Sequence, residues 1–210
     1  WRIHYSMTLP DLCCDYFQLT ATQGAGTGET YTQFLAEKND CIIGDRAYAT
    51  LPGIEHLDRC GAYSLVRVNT QSLPFYTKHK KAMDLLSTIK KRVTDEQARE
   101  WEAYVKKADG SYIAGRLCVI RKSEHAAQES IKKLKRNASK KQIVLKPNTL
   151  KFAKYVILFT TLPKKEFPAT EVLEWYRLRW QVELVFKRLK SLAGLGHLPK
   201  YDEESSRAWL

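Results

Sequence analysis

The alternation of apolar and polar residues at the start of the chain predicts a β-hairpin. In residues 2–9 every second side chain is apolar, and we expect this face to be buried: Ile3, Tyr5, Met7 and Leu9. Residues 15–21 supply an antiparallel partner beyond a turn at Pro10-Asp11. The glycine-rich run 24–28 lacks the spacing of a phosphate-binding loop, so we interpret it as a turn.

The pattern that follows predicts a helix and then a strand–helix–strand unit. Residues 29–38 have helical spacing, and the apolar run 41–43 is typical of a strand buried in the middle of a sheet. Residues 52–60 predict a short helix closed by a glycine, and residues 62–69 predict another strand. Such a unit forms a parallel pair, and ligands bind outside the carboxyl ends of parallel strands.

The first candidate for chemistry, Asp45, directly follows the apolar run 41–43 and therefore lies at such a carboxyl end. An aspartate here is suited to bind a metal or another ligand. The alternative is a structural aspartate that caps a helix or closes a turn.

The middle of the chain has a looser pattern. Residues 78–92 and 124–139 are predicted to be strongly basic helices, and residues 99–122 to be strands around an Asp109-Gly110 turn. The segment from Trp101 to Val105 is also compatible with a helix. Residues 155–163 predict a buried strand.

Residues 170–194 have the pattern of one amphipathic helix, capped by Thr170 and stopped by Gly194. Its apolar arc is expected to face the core: Trp175, Leu178, Val182, Val185, Phe186, Leu189 and Leu192. A neighbouring arc, about 60° wide at 100° per residue, holds a carboxylate among donors: Tyr176, Arg179, Glu183 and Lys190. Such a carboxylate can bind a metal while the donors hold phosphates. The alternative is an exposed helix edge with an ion pair contributing about 0.2–0.5 kcal/mol.

The spacing Tyr176-x2-Arg179-x3-Glu183-x6-Lys190 resembles the signature of bacterial insertion-sequence transposases of the DDE class. The segment Gly44-Asp45-Arg46 is similar to the stretch that carries the second catalytic aspartate in the same family. The resemblance implies an α/β fold of the ribonuclease-H-like type, a mixed sheet flanked by helices with a largely β insertion subdomain. It also implies that Asp45 and Glu183 are two of the three catalytic, metal-binding carboxylates.

The family's first aspartate has no counterpart here. Asp11 falls in a turn and Asp15 precedes the expected third core strand, so neither matches. We therefore expect a fragment that holds metal poorly and is inactive alone, cut from a longer transposase. The expected division is 1–69 for the first part of the core without its first strand, 70–165 for a basic, largely β insertion, and 166–210 for the catalytic helix and the truncated end of the core.

Charge favours a polyanionic partner. The chain carries a net charge of +12, and residues 78–190 hold 28 basic and twelve acidic residues. Together with the resemblance, this predicts that double-stranded DNA, as transposon ends and target, is bound by a set of donors: Arg46, Tyr176, Arg179, Lys187, Arg188 and Lys190. Two Mg²⁺ ions, with Mn²⁺ as an alternative, are the expected cofactors of the complete protein. A homodimer or larger complex on DNA is implied by the resemblance.

Two other functions remain open at this point. One is a nucleic-acid-binding module whose acids are structural, and the other is a ribonuclease-H-type nuclease that cuts without rejoining. The five cysteines show no paired spacing, and His56 with Cys60 lacks a second ligand pair, so a disulfide framework and a zinc site are not expected. No leader or long apolar run appears, and unpaired cysteines fit the reduced thiols of a cytoplasm. The resemblance implies that this cytoplasm is bacterial and that the protein is associated with the nucleoid.

Overall fold

The computed structural model describes residues 2–21, 28–68, 70, 72–192, 194 and 205. The strands are β1 (Arg2–Met7), β2 (Cys14–Thr20), β3 (Cys41–Gly44), β4 (Tyr63–Arg67), β5 (Arg99–Lys106), β6 (Tyr112–Arg121) and β7 (Tyr155–Thr160). The helices are α1 (Leu51–Cys60), α2 (Leu85–Arg92), α3 (Glu124–Lys140), α4 (Pro147–Phe152), α5 (Ala169–Leu178) and α6 (Trp180–Leu192).

Five strands form a mixed sheet in the order β3-β4-β7-β6-β5. β3 and β4 are parallel, as predicted, and the other neighbours are antiparallel. Both faces of the sheet are covered. Neighbouring residues on one strand enter opposite core clusters: Val66 packs on the side of α1, whereas Leu65 packs on the side of α5. The mixed α/β class predicted from the sequence is therefore confirmed.

The hairpin β5–β6 continues the sheet that β3 and β4 begin, because β6 pairs with β7 and β7 pairs with β4. The strands predicted around Asp109-Gly110 are confirmed, and the segment from Trp101 to Val105 is strand rather than helix. The division at residues 70 and 165 stays a prediction. The apolar run 41–43 forms a strand as predicted, but within the described residues β3 lies at the edge of the sheet and not in its middle.

The predicted hairpin of the first twenty residues forms, with Arg2 opposite Thr20, but its predicted buried face is wrong. Ile3, Tyr5 and Met7 are half-buried, whereas the polar His4 is 1% exposed. The reason is the packing: the His4 ring meets Phe34, and its Nε2 lies 2.8 Å from the Thr20 hydroxyl. The alternation identified two faces correctly but not which of them is covered.

Two predicted helices are shorter in the structure. Residues 29–38 contain only a 3₁₀ turn, Tyr31–Gln33, because Phe34 is already extended and Asp40 accepts a hydrogen bond from the Glu37 N–H at 2.8 Å. Residues 78–84 are not helical, since α2 begins only after Asp84, which caps it through the Ser87 N–H. The helix predicted at 124–139 is confirmed as α3. Most of the run 24–28 lies outside the described residues.

The stretch 170–194 is not one continuous helix, because it is interrupted at Arg179 between α5 and α6. The N–H of Arg179 bonds to the Tyr176 carbonyl, and the N–H of Val182 bonds to the Arg179 carbonyl, each at 3.2 Å. These three-residue steps tighten the turn. The cap is also different from the prediction, since α5 begins at Ala169 after Pro168, without a side-chain cap.

The predicted apolar core arc of this stretch is wrong over its second half. Leu178 is 40% exposed and Leu192 is 84% exposed, and α6 has no buried residue. In the described residues α6 packs mainly on the hairpin, where Phe186 meets Tyr5 with ring centroids 5.8 Å apart. The sequence arc shows which side chains share a face, but a face is buried only where another element covers it.

Candidate functional site

Asp45 follows β3 at the carboxyl end of the parallel pair, as predicted. It is half-buried, and one of its carboxylate oxygens accepts a hydrogen bond from the Ala47 N–H at 2.8 Å. The turn interpretation of Asp45 is therefore correct for this oxygen. The hydrogen bond also fixes the direction of the carboxylate, which a ligand site requires.

The glycine before Asp45 is required by close packing. A Cβ added at Gly44 would lie 2.4 Å from the Tyr31 hydroxyl oxygen. Tyr31 is 1% exposed, lies against the ring of Tyr48 at 5.3 Å, and donates to the Leu65 carbonyl at 3.4 Å. The end of β3 is thus seated on the buried ring of Tyr31, which comes from a separate segment and stacks on Tyr48 of the loop that follows β3.

The second part of the candidate site lies where α5 meets α6. Tyr176 is 8% exposed and packs with Val172 and Leu65 on the α5 side of the sheet. The Arg179 guanidinium lies 5.7 Å from the centre of the Tyr176 ring and donates to the Glu183 carboxylate at 2.5 Å. The ion pair of the alternative interpretation is therefore present, and it links the anchored tyrosine to the exposed glutamate.

Electrostatic effects connect this junction with Asp45. Burial raises the pKa of Tyr176, and the charge of Asp45 is among the contributions that raise it. Burial alone lowers the pKa of Arg179, but the hydrogen bond to Glu183 and the charges of Glu183 and Asp45 act in the opposite direction, so the pKa is raised overall. Both predicted carboxylates therefore act on the same guanidinium.

A groove of about 680 Å³ runs along α6 beside Glu183. Its lining consists of Glu183, Phe186, Lys187, Lys190 and Ser191. Two of the predicted DNA-binding lysines are therefore brought to the glutamate. Arg188 is exposed and does not line this groove.

The loop that leads into α5 is held by a buried arginine that sequence reasoning missed. Arg116 of β6 is 5% exposed, and its Nε donates to the Leu162 carbonyl at 3.2 Å. One terminal nitrogen donates to the Phe167 carbonyl and the other pairs with Glu100, which also pairs with Lys164 at 3.1 Å. Because each nitrogen of this guanidinium group meets an acceptor, Arg116 fixes the entry of α5 onto the sheet.

The donor chemistry of the site fits a hard divalent cation, because Asp45 and Glu183 offer carboxylate oxygens. In the part of the chain that the structure describes, no group of three or more His, Cys, Asp or Glu residues is arranged to hold a metal ion. Across the same described residues, no helix is both long and apolar enough to cross a bilayer.

Comparison with known proteins identifies the class. Residues 16–210 match the family "Transposase DDE domain", and the chain belongs to this family of insertion-sequence transposases. The family prediction from the two motifs is confirmed. Members of the family generally use divalent metal ions. No solved structure matches the chain.

Particular relatives come from several insertion sequences. The chain is 31% identical, over 220 residues, to the transposase for insertion sequence element IS421 of Escherichia coli, which covers 100% of this chain and 57% of the relative. It is 26% identical over 180 residues to the transposase for IS231B of Bacillus thuringiensis subsp. berliner, with 79% and 37% covered. The chain is 27% identical over 168 residues to the transposase for IS231E of B. thuringiensis subsp. finitimus, and the match covers 73% of this chain and 35% of that relative. The match thus spans 57% of the length of the IS421 relative and 37% and 35% of the lengths of the two IS231 relatives.

Proposed function

We propose that the full-length protein is a DNA transposase that cleaves phosphodiester bonds at transposon ends and transfers the freed ends into target DNA. This chain is most of its catalytic region, with a ribonuclease-H-like fold divided at about residues 70 and 165 as the sequence predicted. The observation that carries the proposal is that Asp45 follows β3 beside β4, while Tyr176, whose ring contacts the guanidinium paired with Glu183, packs in the same buried cluster as Leu65 of β4. Family membership supports it.

In this proposal Asp45 and Glu183 are two catalytic carboxylates that hold Mg²⁺, or Mn²⁺, together with a third acid supplied by the rest of the full-length protein. When bound, such ions activate a water and stabilise the departing oxygen. The fixed direction of Asp45 and the pairing of Glu183 with Arg179 keep both carboxylates ordered before DNA arrives. Ordered groups lose little freedom in the transition state, which lowers the barrier.

The DNA contacts are proposed from the position of the donors. Lys187 and Lys190 line the groove beside Glu183, and Arg46 follows Asp45, so a backbone passing the two carboxylates meets a cation on each side. Tyr176 positions Arg179 through its ring, and Arg188 extends the basic surface of α6. Residues 130–165 add eleven lysines and arginines and no acid, which extends the contact to the middle of the chain. A homodimer or larger complex on DNA, in the cytoplasm at the nucleoid, completes the proposal.

The experiment uses the full-length protein, a labelled duplex that carries the element's end, and Mg²⁺. Asp45→Asn and Glu183→Gln are expected to reduce cleavage by about a hundredfold or more, the scale on which a charged group acts on a transition state. DNA affinity should change little. Glu174→Gln, an exposed glutamate of α5, is the matched control and should cleave normally.

The reaction products distinguish a transposase from a nuclease and from a DNA-binding module. A transposase yields joined molecules in which element ends are linked to target DNA, whereas a nuclease yields cut ends alone. A binding module yields no cleavage in the wild type, and this outcome would exclude an enzyme. Unchanged cleavage by Glu183→Gln would remove the glutamate from the proposed site.

A further inference from the structure

Two cations that the sequence motifs did not include, Arg67 and Lys122, lie with Arg46 at the edge of the sheet where Asp45 lies. β4 and β6 are each antiparallel to β7, so they run in the same direction, and β3 is parallel to β4. The carboxyl ends of these three strands therefore lie along one edge. Arg46 follows β3, Arg67 ends β4 and Lys122 follows β6, so the edge carries three positive side chains.

The strand register brings Arg67 next to the proposed catalytic aspartate. Gly44 of β3 is opposite Val66 of β4, so one further step places Asp45 level with Arg67. On its other side Arg67 is opposite Leu158 of β7. β4 also adjoins the junction of α5 and α6, since its Leu65 shares a buried cluster with Tyr176, and the charge of Arg67 acts to lower the pKa of Tyr176 and of Arg46.

These positive charges form no close ion pair in the described residues, although the charge of Asp45 acts on Arg46 from a longer distance. No carboxylate there lies within 4.0 Å of a nitrogen of Arg46, Arg67 or Lys122. The Nε of Arg67 is buried and has no hydrogen-bond partner among the described residues. The Lys122 ammonium donates to two neutral oxygens, the Ser130 hydroxyl at 2.7 Å and the Ala153 carbonyl at 2.8 Å. Its position is fixed, but its charge is not compensated.

The neighbouring positive charges affect the pKa of Lys122. Burial, followed by the positive charges of Arg67 and Arg46, lowers the pKa of Lys122 to about 8. Arg67 and Lys122 are half-buried and Arg46 is exposed, and positive charges grouped in this way repel one another unless an anion joins them. A guanidinium with a free buried N–H and an anchored ammonium are the donors that bind phosphate well, one through its planar fork and the other as a point charge.

We propose that Arg67 and Lys122 join Arg46 in a subsite for a backbone phosphate of DNA, beside Asp45 and separate from the donors on α5 and α6. That the phosphate belongs to DNA rests on the proposed function, whereas the presence of an anion site does not. The subsite sits on the strand side of Asp45 and the α6 donors sit beyond Glu183, so the backbone is held on both sides of the carboxylate pair.

The first test measures anion binding to the 210-residue chain without DNA. Thermal unfolding is followed in inorganic phosphate and in sodium chloride of equal ionic strength, because a ligand of the folded state raises the melting temperature with its concentration. The melting temperature of the wild type should rise more in phosphate than in chloride. Arg67→Gln should weaken phosphate affinity by about tenfold or more, the loss expected for a charged hydrogen bond.

Matched variants make this test specific. Lys78→Gln removes an exposed lysine and should keep the wild-type response, and Arg67→Lys, which keeps the charge, should retain part of it. If Arg67→Gln does not fold, as judged by circular dichroism, Lys122→Gln tests the same subsite. A phosphate response that is equal in wild type, Arg67→Gln and Lys122→Gln would overturn the proposal.

A second arm asks whether the phosphate belongs to DNA. Affinity for a 20-base-pair duplex is measured against salt, and Arg67→Gln should reduce the slope of log K on log salt by about 0.9, the value for one lost phosphate contact. An unchanged slope with a lost phosphate response would show a site for free anions and would overturn the DNA assignment. If the full-length protein does not cleave DNA while both arms succeed, the proposed function fails and the subsite stands.

Discussion

The two helices of the signature stretch, α5 and α6, are adjacent in the chain and opposite in environment. α5 buries Ala169, Val172 and Tyr176 against the sheet, whereas α6 buries none of its residues in the described structure. The change in environment occurs at a single residue, Arg179, which separates α5 from α6. It lies between the anchored Tyr176 and the exposed Glu183. The comparison teaches that one half of the stretch fixes the position of the site and the other half presents its charged groups.

The largest expected effect comes from releasing the anchored half. Arg116→Leu removes the donors that hold the loop before α5 and leaves the Glu100 carboxylate buried with less compensation. Breaking a buried ion pair on one side costs about 3–5 kcal/mol, and we expect a loss of unfolding free energy of about 3 kcal/mol because Lys164 still pairs with Glu100. Urea unfolding of the wild type and of Arg116→Leu measures this loss of unfolding free energy.

The control for Arg116→Leu is Lys164→Gln. The Lys164 side chain is 70% exposed, so its pair with Glu100 is largely screened and its loss should cost about 0.5 kcal/mol or less. Equal losses in the two variants would show that the buried arginine does not hold α5.

A smaller effect separates the two helices directly. Val172→Ala, at a side chain that is 0% exposed, should lower the unfolding free energy by about 1–3 kcal/mol through lost apolar burial. Leu192→Ala, at a side chain that is 84% exposed, should change it by about 0.5 kcal/mol or less. Chemical denaturation of both variants measures the difference in unfolding free energy. Similar losses of unfolding free energy in the two variants would mean that α6 is as well packed as α5.

The smallest effect is expected at Glu183. Its side chain is 65% exposed and its partner Arg179 is 23% exposed, so Glu183→Gln should change the unfolding free energy by only about 0.5 kcal/mol. The same substitution should abolish cleavage in the full-length protein. A loss of several kcal/mol on unfolding would instead mean that this glutamate is structural.

Much of the fold could be predicted because local patterns determine it. The apolar run before Asp45, the glycine stop after α1 at Gly61 with φ of 69°, and the alternation in β5 and β6 each depend on residues close in sequence. Asp45 and Glu183 were found from motif spacing, which the family comparison bears out for the chain but does not test residue by residue. Their roles remain proposals.

The remainder could not be predicted because it depends on contacts between distant segments. Arg67 and Lys122 belong to strands that are far apart in sequence, and only the register through β7 places them on the same edge. The sequence pattern around Arg116 is that of an ordinary strand residue, because the carbonyl groups that it binds are 46 and 51 residues away in the chain. The exposure of α6 likewise depends on what lies over it. Sequence periodicity contains no information about any of these partners.

The contact between Tyr31 and Gly44 has a consequence for how the carboxylate of Asp45 is held. Tyr31 occupies the volume that any side chain at residue 44 would need, with its hydroxyl oxygen 2.4 Å and its nearest ring carbon 2.9 Å from the position of a Cβ. The backbone here is thus set by steric exclusion from a segment thirteen residues earlier. A change in the packing of Tyr31 would therefore move Asp45 even though the two side chains share no hydrogen bond, and the chemistry of the edge is coupled to a ring buried behind it.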